Sequence, residues 1–243
     1  MKFEGNLGRI VLPACLIRGH CAVCGARETS VCGSLDDRGL DELSALSQPH
    51  EAAPGESLYD EGDSADAYFN VTSGTVRVVK LLRDGRRQVL GFAGRGDFLG
   101  LAIKGEFVAG AEAVDRVRYC RLPLGPFRAL LERRPALQRR LYQIVADDLA
   151  AQQDQLLMLG RKTARERVAF FLFKIAARGA KDAVELPMSR LDIADYLGLT
   201  IETVSRTFTQ LRKAKIVALP KADRIVVLDP PRLEALAEGG SQN

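Results

Sequence analysis

The segment from Leu186 to Lys215 constrains the fold more than any other part of the chain. Leu186-Pro187-Met188-Ser189 leads into Arg190-Leu191-Asp192-Ile193-Ala194-Asp195-Tyr196-Leu197, which reads as a short helix. Ser189 suits the N-cap, and Asp192 three residues later can reach back to it, close to a capping box. Leu191, Ala194, Tyr196 and Leu197 offer the apolar face, with Ala194 small where a second helix crosses. Gly198 stops the helix because glycine accepts a positive φ at low cost. Leu199 plugs the turn, and Thr200 caps a second helix predicted over Ile201 to Lys213. On it Val204, Phe208 and Leu211 would face the core, leaving Glu202, Ser205, Arg206, Thr209, Arg212 and Lys213 outside. Cap, turn and polar face agree on a helix-turn-helix rather than an ordinary αα-corner. Polar groups at the start of a second helix can reach base edges in the major groove. Arginine can bond guanine through two donors, and glutamate can accept from cytosine N4. Thr200, Glu202, Ser205, Arg206, Arg212 and Lys213 are therefore the candidate DNA contacts.

Flanking segments extend this unit. Ile216 to Leu219 and Arg224 to Leu228, on either side of Lys221-Ala222-Asp223, read as a β-hairpin or wing. Charge follows the same boundary. Arg161 to Lys221 holds 13 Lys/Arg against 6 Asp/Glu, while the whole chain nets +4, so the remainder is slightly acidic. A basic third on a near-neutral body suits a phosphate-binding module, although a solvated basic surface would give the same count.

Upstream, Pro135 to Leu159 contains no internal Pro or Gly and is predicted as one long helix. Leu141, Val145, Leu149, Leu156 and Leu159 mark one face, which Gln152 interrupts. Such a stripe either packs on its own domain or pairs with a second copy. Leu141, Val145, Asp148, Leu149, Gln152 and Leu156 are the candidate dimer residues, and Asp147 and Asp148 would repel their symmetry mates if both faced the seam. Thr163 to Ala177 reads as a further helix with Val168, Phe171, Leu172 and Ile175 inward.

From about His50 to Leu124 the pattern is of short strands broken by glycines. Thr75 to Leu81 and Gln88 to Phe92 are predicted strands around the hairpin signal Asp84-Gly85. Many short strands with regular turns suggest a small barrel or jelly roll. Asp36 to Leu46 looks helical, with Ser34 as its expected cap.

Four of the five cysteines, Cys15, Cys21, Cys24 and Cys32, lie in an N-terminal arm without clear periodicity. The fifth, Cys120, is expected to end a strand in Arg118 to Pro123. Clustered thiols in a reducing compartment more often serve metal or redox chemistry than disulfides. Cys21-x2-Cys24-x7-Cys32 plus one distant cysteine can make a four-thiolate site that staples the arm to the barrel, holding either zinc or an iron–sulfur centre. The x7 gap is looser than a paired zinc ribbon. Cys15 reads as a spare thiol, and His20 is a weaker ligand candidate.

The order of β-roll, long helix and winged helix-turn-helix resembles the cyclic AMP receptor protein/FNR superfamily over nearly the whole chain. Gly55-Glu56-Ser57-Leu58-Tyr59-Asp60-Glu61-Gly62-Asp63, Ser73-Gly74-Thr75-Val76, Gly96-Asp97-Phe98-Leu99-Gly100 and Asp195 to Arg206 carry the likeness. Glu202, Ser205 and Arg206 match the Glu-x-x-Ser-Arg of FNR-type regulators, whereas cyclic AMP receptors place Arg before the Glu and Gly in place of the Ser. The likeness is to the FnrN/FnrL/FixK-like group with its N-terminal cysteine cluster. It implies an α+β chain divided into an arm (1–34), a cyclic-nucleotide-binding-like jelly roll (35–130), a dimerisation helix (131–160) and a winged helix-turn-helix (161–243). It implies a homodimer on an FNR-type palindrome in double-stranded DNA, mainly activating through RNA polymerase. By the same likeness Cys21, Cys24, Cys32 and Cys120 would hold a [4Fe–4S] cluster, with zinc as the alternative, and oxygen would relax the arm and weaken the dimer. Lys104 to Ala111 has no Arg to hold a cyclic phosphate, so no cyclic nucleotide is expected.

Other classes fit poorly. No nucleophile elbow, P-loop or metal-hydrolase motif is present, and the two histidines are His20 and His50, so an enzyme is not expected. A haem- or small-ligand-sensing relative would not need four cysteines so placed. No apolar run is long enough to span a bilayer and no secretory signal is legible, so the expected location is the cytoplasm.

Overall fold

The computed structural model of the chain describes residues 21, 23–102, 105–178, 183–221 and 223–240. Cys15, His20 and Lys104 lie outside the described residues. The chain divides into two units, Met1–Lys80 with Leu90–Ala146, and Leu81–Val89 with Asp147–Asn243. No helix of the described residues is long and apolar enough to cross a membrane.

The first unit is built on two four-stranded sheets. Strands β1 (Gln48–Ala52), β8 (Val117–Pro123), β3 (Ala67–Ser73) and β6 (Phe98–Leu99) form one, in that order. Strands β2 (Ser57–Tyr59), β7 (Gly110–Ala113), β4 (Val76–Leu81) and β5 (Arg87–Ala93) form the other. Alternate residues of a strand point to opposite faces. Phe69 and Val71 of β3, with Val117 and Tyr119 of β8, therefore join Tyr59, Val76, Ala111 and Ala113 in one core between the sheets. This is the β-roll that the glycine-punctuated segment predicts. Rings crowd its interior: Tyr59 stacks on Phe107 at 4.0 Å between centroids, and Phe69 lies 5.0 Å from Tyr59 and 5.9 Å from Tyr119. Burial pushes the Tyr59 phenol up to about 12, against an opposing hydrogen bond with the Gly100 backbone.

The opposite face of the β1–β8–β3–β6 sheet carries the helices and the arm. Tyr68, Phe98 and Leu122 pack there with Val31 of the arm and with Leu35. Leu43 of α1 (Asp37–Leu46), Phe127 and Leu130 of α2 (Leu124–Arg133), and Leu137 of α3 (Pro135–Arg161) complete the cluster. Two expectations are corrected here. The cap of α1 is Asp36, whose Oδ1 accepts from the Gly39 N–H at 2.7 Å. Ser34 instead ends a 3-10 turn, Val31–Ser34, and its hydroxyl donates to the Val31 carbonyl. Cys120 lies inside β8 rather than at its end, because the strand runs on to Pro123 beside β3. The arm docks where Gly96 has φ +96°, and a Cβ there would strike the Thr29 side chain.

The second unit holds the rest of α3, α4 (Ala164–Arg178), α5 (Arg190–Leu197), α6 (Ile201–Lys213) and α7 (Pro230–Ala237). A three-stranded sheet runs β10 (Val217–Lys221), β11 (Arg224–Val227), β9 (Ala183–Glu185). The wing expected from the sequence is β10 and β11; β9 and α7 were not anticipated. Met158, Val168, Leu172, Ile193, Leu197, Phe208, Leu211 and Ile225 of this unit are each buried. Arg167 ties three backbone segments, donating to the carbonyls of Leu159 (2.8 Å), Lys162 (2.9 Å) and Leu197 (3.0 Å). Within the same unit Arg87 pairs with Asp192 and Asp195, each at 2.8 Å.

Candidate nucleic-acid interface and cysteine site

Local hydrogen bonds build the recognition surface. Ser189 Oγ accepts from the Asp192 N–H at 3.1 Å, and Asp192 Oδ2 accepts from the Ser189 N–H at 3.0 Å, a reciprocal capping box. Gly198 takes the left-handed conformation (φ 61°, ψ 42°), which turns the chain without a Cβ penalty. Thr200 Oγ1 then accepts from the Thr203 N–H at 3.3 Å and starts α6. Val204, Thr207, Phe208 and Leu211 turn inward on α6. Thr200, Glu202, Ser205, Arg206, Arg212 and Lys213, the six sequence-derived DNA candidates, are all exposed. Thr209 is half-buried. The Glu202 carboxyl is held below its ordinary range by its own backbone N–H, then by the Thr200 hydroxyl and the Arg206 cation.

The inward face of α5 differs from expectation. Leu191 is 50% exposed and Ile193 is fully buried, because the face that meets the rest of the unit runs through Ile193, Ala194 and Leu197. Tyr196, half-buried, lies tilted to Phe171 with ring centroids 5.7 Å apart. Arg190, not singled out by the sequence, sets its guanidinium 3.5 Å over the Phe208 ring. That cation–π contact braces the first helix against the second.

Along α3 the candidate dimer stripe splits. Leu141 packs against the core of the first unit. Every residue from Val145 to Gln153 is exposed, Asp148 and Gln152 among them. Leu149 is 59% and Leu156 72% exposed, large apolar side chains one to two turns apart on one face.

The cysteine candidates converge from two directions. Cys21, Cys24, Cys32 and Cys120 are in no disulfide among the described residues, Cys21 and Cys120 buried and the other two half-buried. Cys32 sits in the 3-10 turn, its N–H donating to the buried Ser30 hydroxyl at 3.3 Å. Cys120 faces the arm because its neighbour Tyr119 faces the roll interior. Burial pushes the Cys120 thiol up, and the nearby Cys21, Cys32 and Cys24 thiols add to that. Burial likewise raises Cys32, with Cys21 and Cys24 adding and the Ser30 hydroxyl opposing. Cys21 and Cys24 therefore act electrostatically on both Cys32 and Cys120. Among the described residues no group of three or more Cys, His, Asp or Glu is gathered closely enough to hold a metal ion as it stands. The donor set, four cysteine thiols, fits a soft metal centre in kind.

Two residues beside this site carry no sequence signal. Arg140 of α3 donates to the carbonyls of Thr29 (2.9 Å) and Ser30 (3.4 Å), tying the arm to the long helix. Asn70 of β3 stands directly opposite Cys120 and is 2% exposed. Both depend on pairings between distant segments, which no local pattern announces.

Comparison with known proteins agrees with this architecture. The family description "Cyclic nucleotide-binding domain" matches residues 49–134, and "Crp-like helix-turn-helix domain" matches residues 166–236. The chain is 44% identical over 225 residues to the nitrogen fixation regulation protein FixK of Bradyrhizobium diazoefficiens, covering 90% of this chain and 94% of that one. It is 43% identical to the transcriptional activatory protein AadR of Rhodopseudomonas palustris, covering 90% and 92%. The solved structure of FixK2 from Bradyrhizobium japonicum aligns with a TM-score of 0.75 at 36% identity, covering 79% of this chain and 97% of that one.

Proposed function

Because the chain belongs to the Crp/FNR family of DNA-binding transcription regulators, which are not enzymes, we propose that it acts as a cytoplasmic homodimer on an FNR-type palindrome. Each α6 enters a major groove with its N-terminal end leading, so that Glu202, Ser205 and Arg206 meet base edges. Thr200, Arg212 and Lys213 hold the backbone phosphates. The exposed face of α3 with Val145, Leu149 and Leu156 pairs two subunits and sets the half-site spacing. The activatory relative AadR supports a mainly activating role, and contact with RNA polymerase is the route we propose for it.

We further propose that the signal is oxygen, sensed through a [4Fe–4S] cluster held by Cys21, Cys24, Cys32 and Cys120. One observation carries this reading: of four cysteines, the three from the arm lie near enough to the one in β8 for their charges to act on it. When bound, such a cluster supplies oxygen-labile iron–sulfide chemistry. This chain's residues do the rest. Ser30 positions Cys32 through its backbone N–H, and Arg140 holds the arm's carbonyls to α3, so that arm order and helix pairing rise and fall together. The rings of Tyr59, Phe69, Phe107 and Tyr119 occupy the roll interior, which supports a sensor that takes no cyclic nucleotide.

Purification without oxygen tests this. The expected product is brown, with about four irons and four sulfides per chain, and loses colour and dimer in air. A colourless product with one zinc per chain makes the protein a zinc-stapled regulator instead, and Cys24→Ala should abolish either centre.

A further inference from the structure

We propose that Asn70 is the hydrogen-bond donor to the Cys120 sulfur in the metal-loaded protein, a positioning residue that tunes the metal centre. The inference rests on the four-cysteine reading above and adds a residue to it.

The register of the sheet places it. Pro49 of β1, Cys120 of β8, Asn70 of β3 and Phe98 of β6 are successive cross-strand partners. Cross-strand partners share a face, with Cβ atoms about 4.5–5.5 Å apart, within reach of a carboxamide. That face is the one on which the arm packs, since Phe98 belongs to the cluster containing Val31 and Cys32 lies against it. Within the row the neighbours of Cys120 are a proline and an asparagine, and proline has no donor to offer.

The Asn70 amide oxygen is also unsatisfied. Asn70 is 2% exposed, and its Oδ1 accepts no hydrogen bond from any described residue. A buried amide oxygen without a partner costs free energy, and each such group in a native protein calls for an explanation, a redox role or a bound ion among them. Leucine of similar volume would pack in the same place without that cost. The carboxamide has a property leucine lacks: it presents an acceptor and a donor that exchange by rotation about χ2. In the metal-free chain Oδ1 accepts from no described residue, the Cys120 sulfur opposite included. Ligated to a metal, the same sulfur is an acceptor only, and Nδ2–H can then donate to it. Donors aimed at ligating sulfur draw charge from the metal–sulfur bond and shift affinity and potential.

The test is a Co2+ titration of full-length protein under nitrogen, read from the thiolate-to-cobalt charge-transfer band against a competing chelator. Asn70→Leu should keep the four-thiolate spectrum yet bind Co2+ about 10- to 100-fold more weakly, while the metal-free melting temperature is unchanged or higher. Asn70→Asp should bind more weakly still, because a carboxylate repels the thiolate. In a Cys120→Ser background, Asn70→Leu should have no further effect. Equal Co2+ affinity of wild type and Asn70→Leu overturns the assignment and leaves the four-cysteine site standing. An Asn70→Leu defect that persists with Cys120→Ser also overturns it. Wild type that develops no thiolate–cobalt band overturns both readings.

Discussion

Leu149→Ala removes an apolar side chain from the middle of the exposed stretch of α3, four residues after Val145 and seven before Leu156. In the single chain Leu149 is 59% exposed, so more than half of its surface is left for a partner to cover. Truncation deletes three carbons, and at about 0.8 kcal/mol per buried CH2 that is about 2.4 kcal/mol if the whole side chain is buried by the partner. Scaling by the exposed fraction leaves about 1.4 kcal/mol per side chain. A twofold seam uses the same residue on both subunits, so the loss doubles to about 3 kcal/mol, or roughly 100-fold in the dimer constant. Sedimentation equilibrium over a concentration series reads this directly, and affinity for a two-half-site palindrome should fall with it. Two controls separate seam from core. Leu137→Ala, at a fully buried position in the first unit, should cost about 2–5 kcal/mol of folding stability. Leu141→Ala should behave more like Leu137→Ala, since it packs on the same core. A dimer constant for Leu149→Ala within threefold of wild type would refute the seam.

Further outcomes follow from the same geometry. Asp148→Ala should raise the dimer fraction in air by removing like charge from the seam, and an unchanged sedimentation profile would count against that repulsion. Arg206→Ala should cost about 1–3 kcal/mol on the cognate palindrome and relax base preference, whereas Arg212→Ala should weaken all sequences alike and lower the salt slope by about 1 in competition binding. Arg167→Met leaves three carbonyls without their charged donor; with partial exposure discounting each bond to about 1 kcal/mol, urea unfolding should show a loss of about 2–4 kcal/mol, and a loss under 1 kcal/mol would contradict the clasp. Glu202 has its carboxyl depressed below the ordinary 4.5, so its contribution to folding is present above that value and fades as acid protonates it below. Glu202→Gln should flatten the stability–pH curve only under pH 4.5, as measured by thermal melts in an acid series.

Helices α5 and α6 were legible from the chain because what shapes them is local. The Ser189–Asp192 box, the left-handed Gly198 and the Thr200 cap each join residues three or four apart, so spacing alone determines who meets whom. The identity of the four thiols was legible for a similar reason, since thiolate chemistry needs only the residue type. Their meeting place was not. Whether Cys120 faces the arm or the roll interior depends on the parity of β8, which its pairing with β1 and β3 sets. The same long-range register puts Asn70 beside it. Leu141 and Leu149 share one apolar stripe, and only the packing of the first unit separates the residue kept for its own core from the one left for a second subunit. Arg140, Arg167 and the three-residue β9 likewise acquire meaning from partners distant in the chain. Hydrogen bonds within a turn are dictated by chain geometry, whereas contacts across sheets and helices exist only after the whole unit has collapsed.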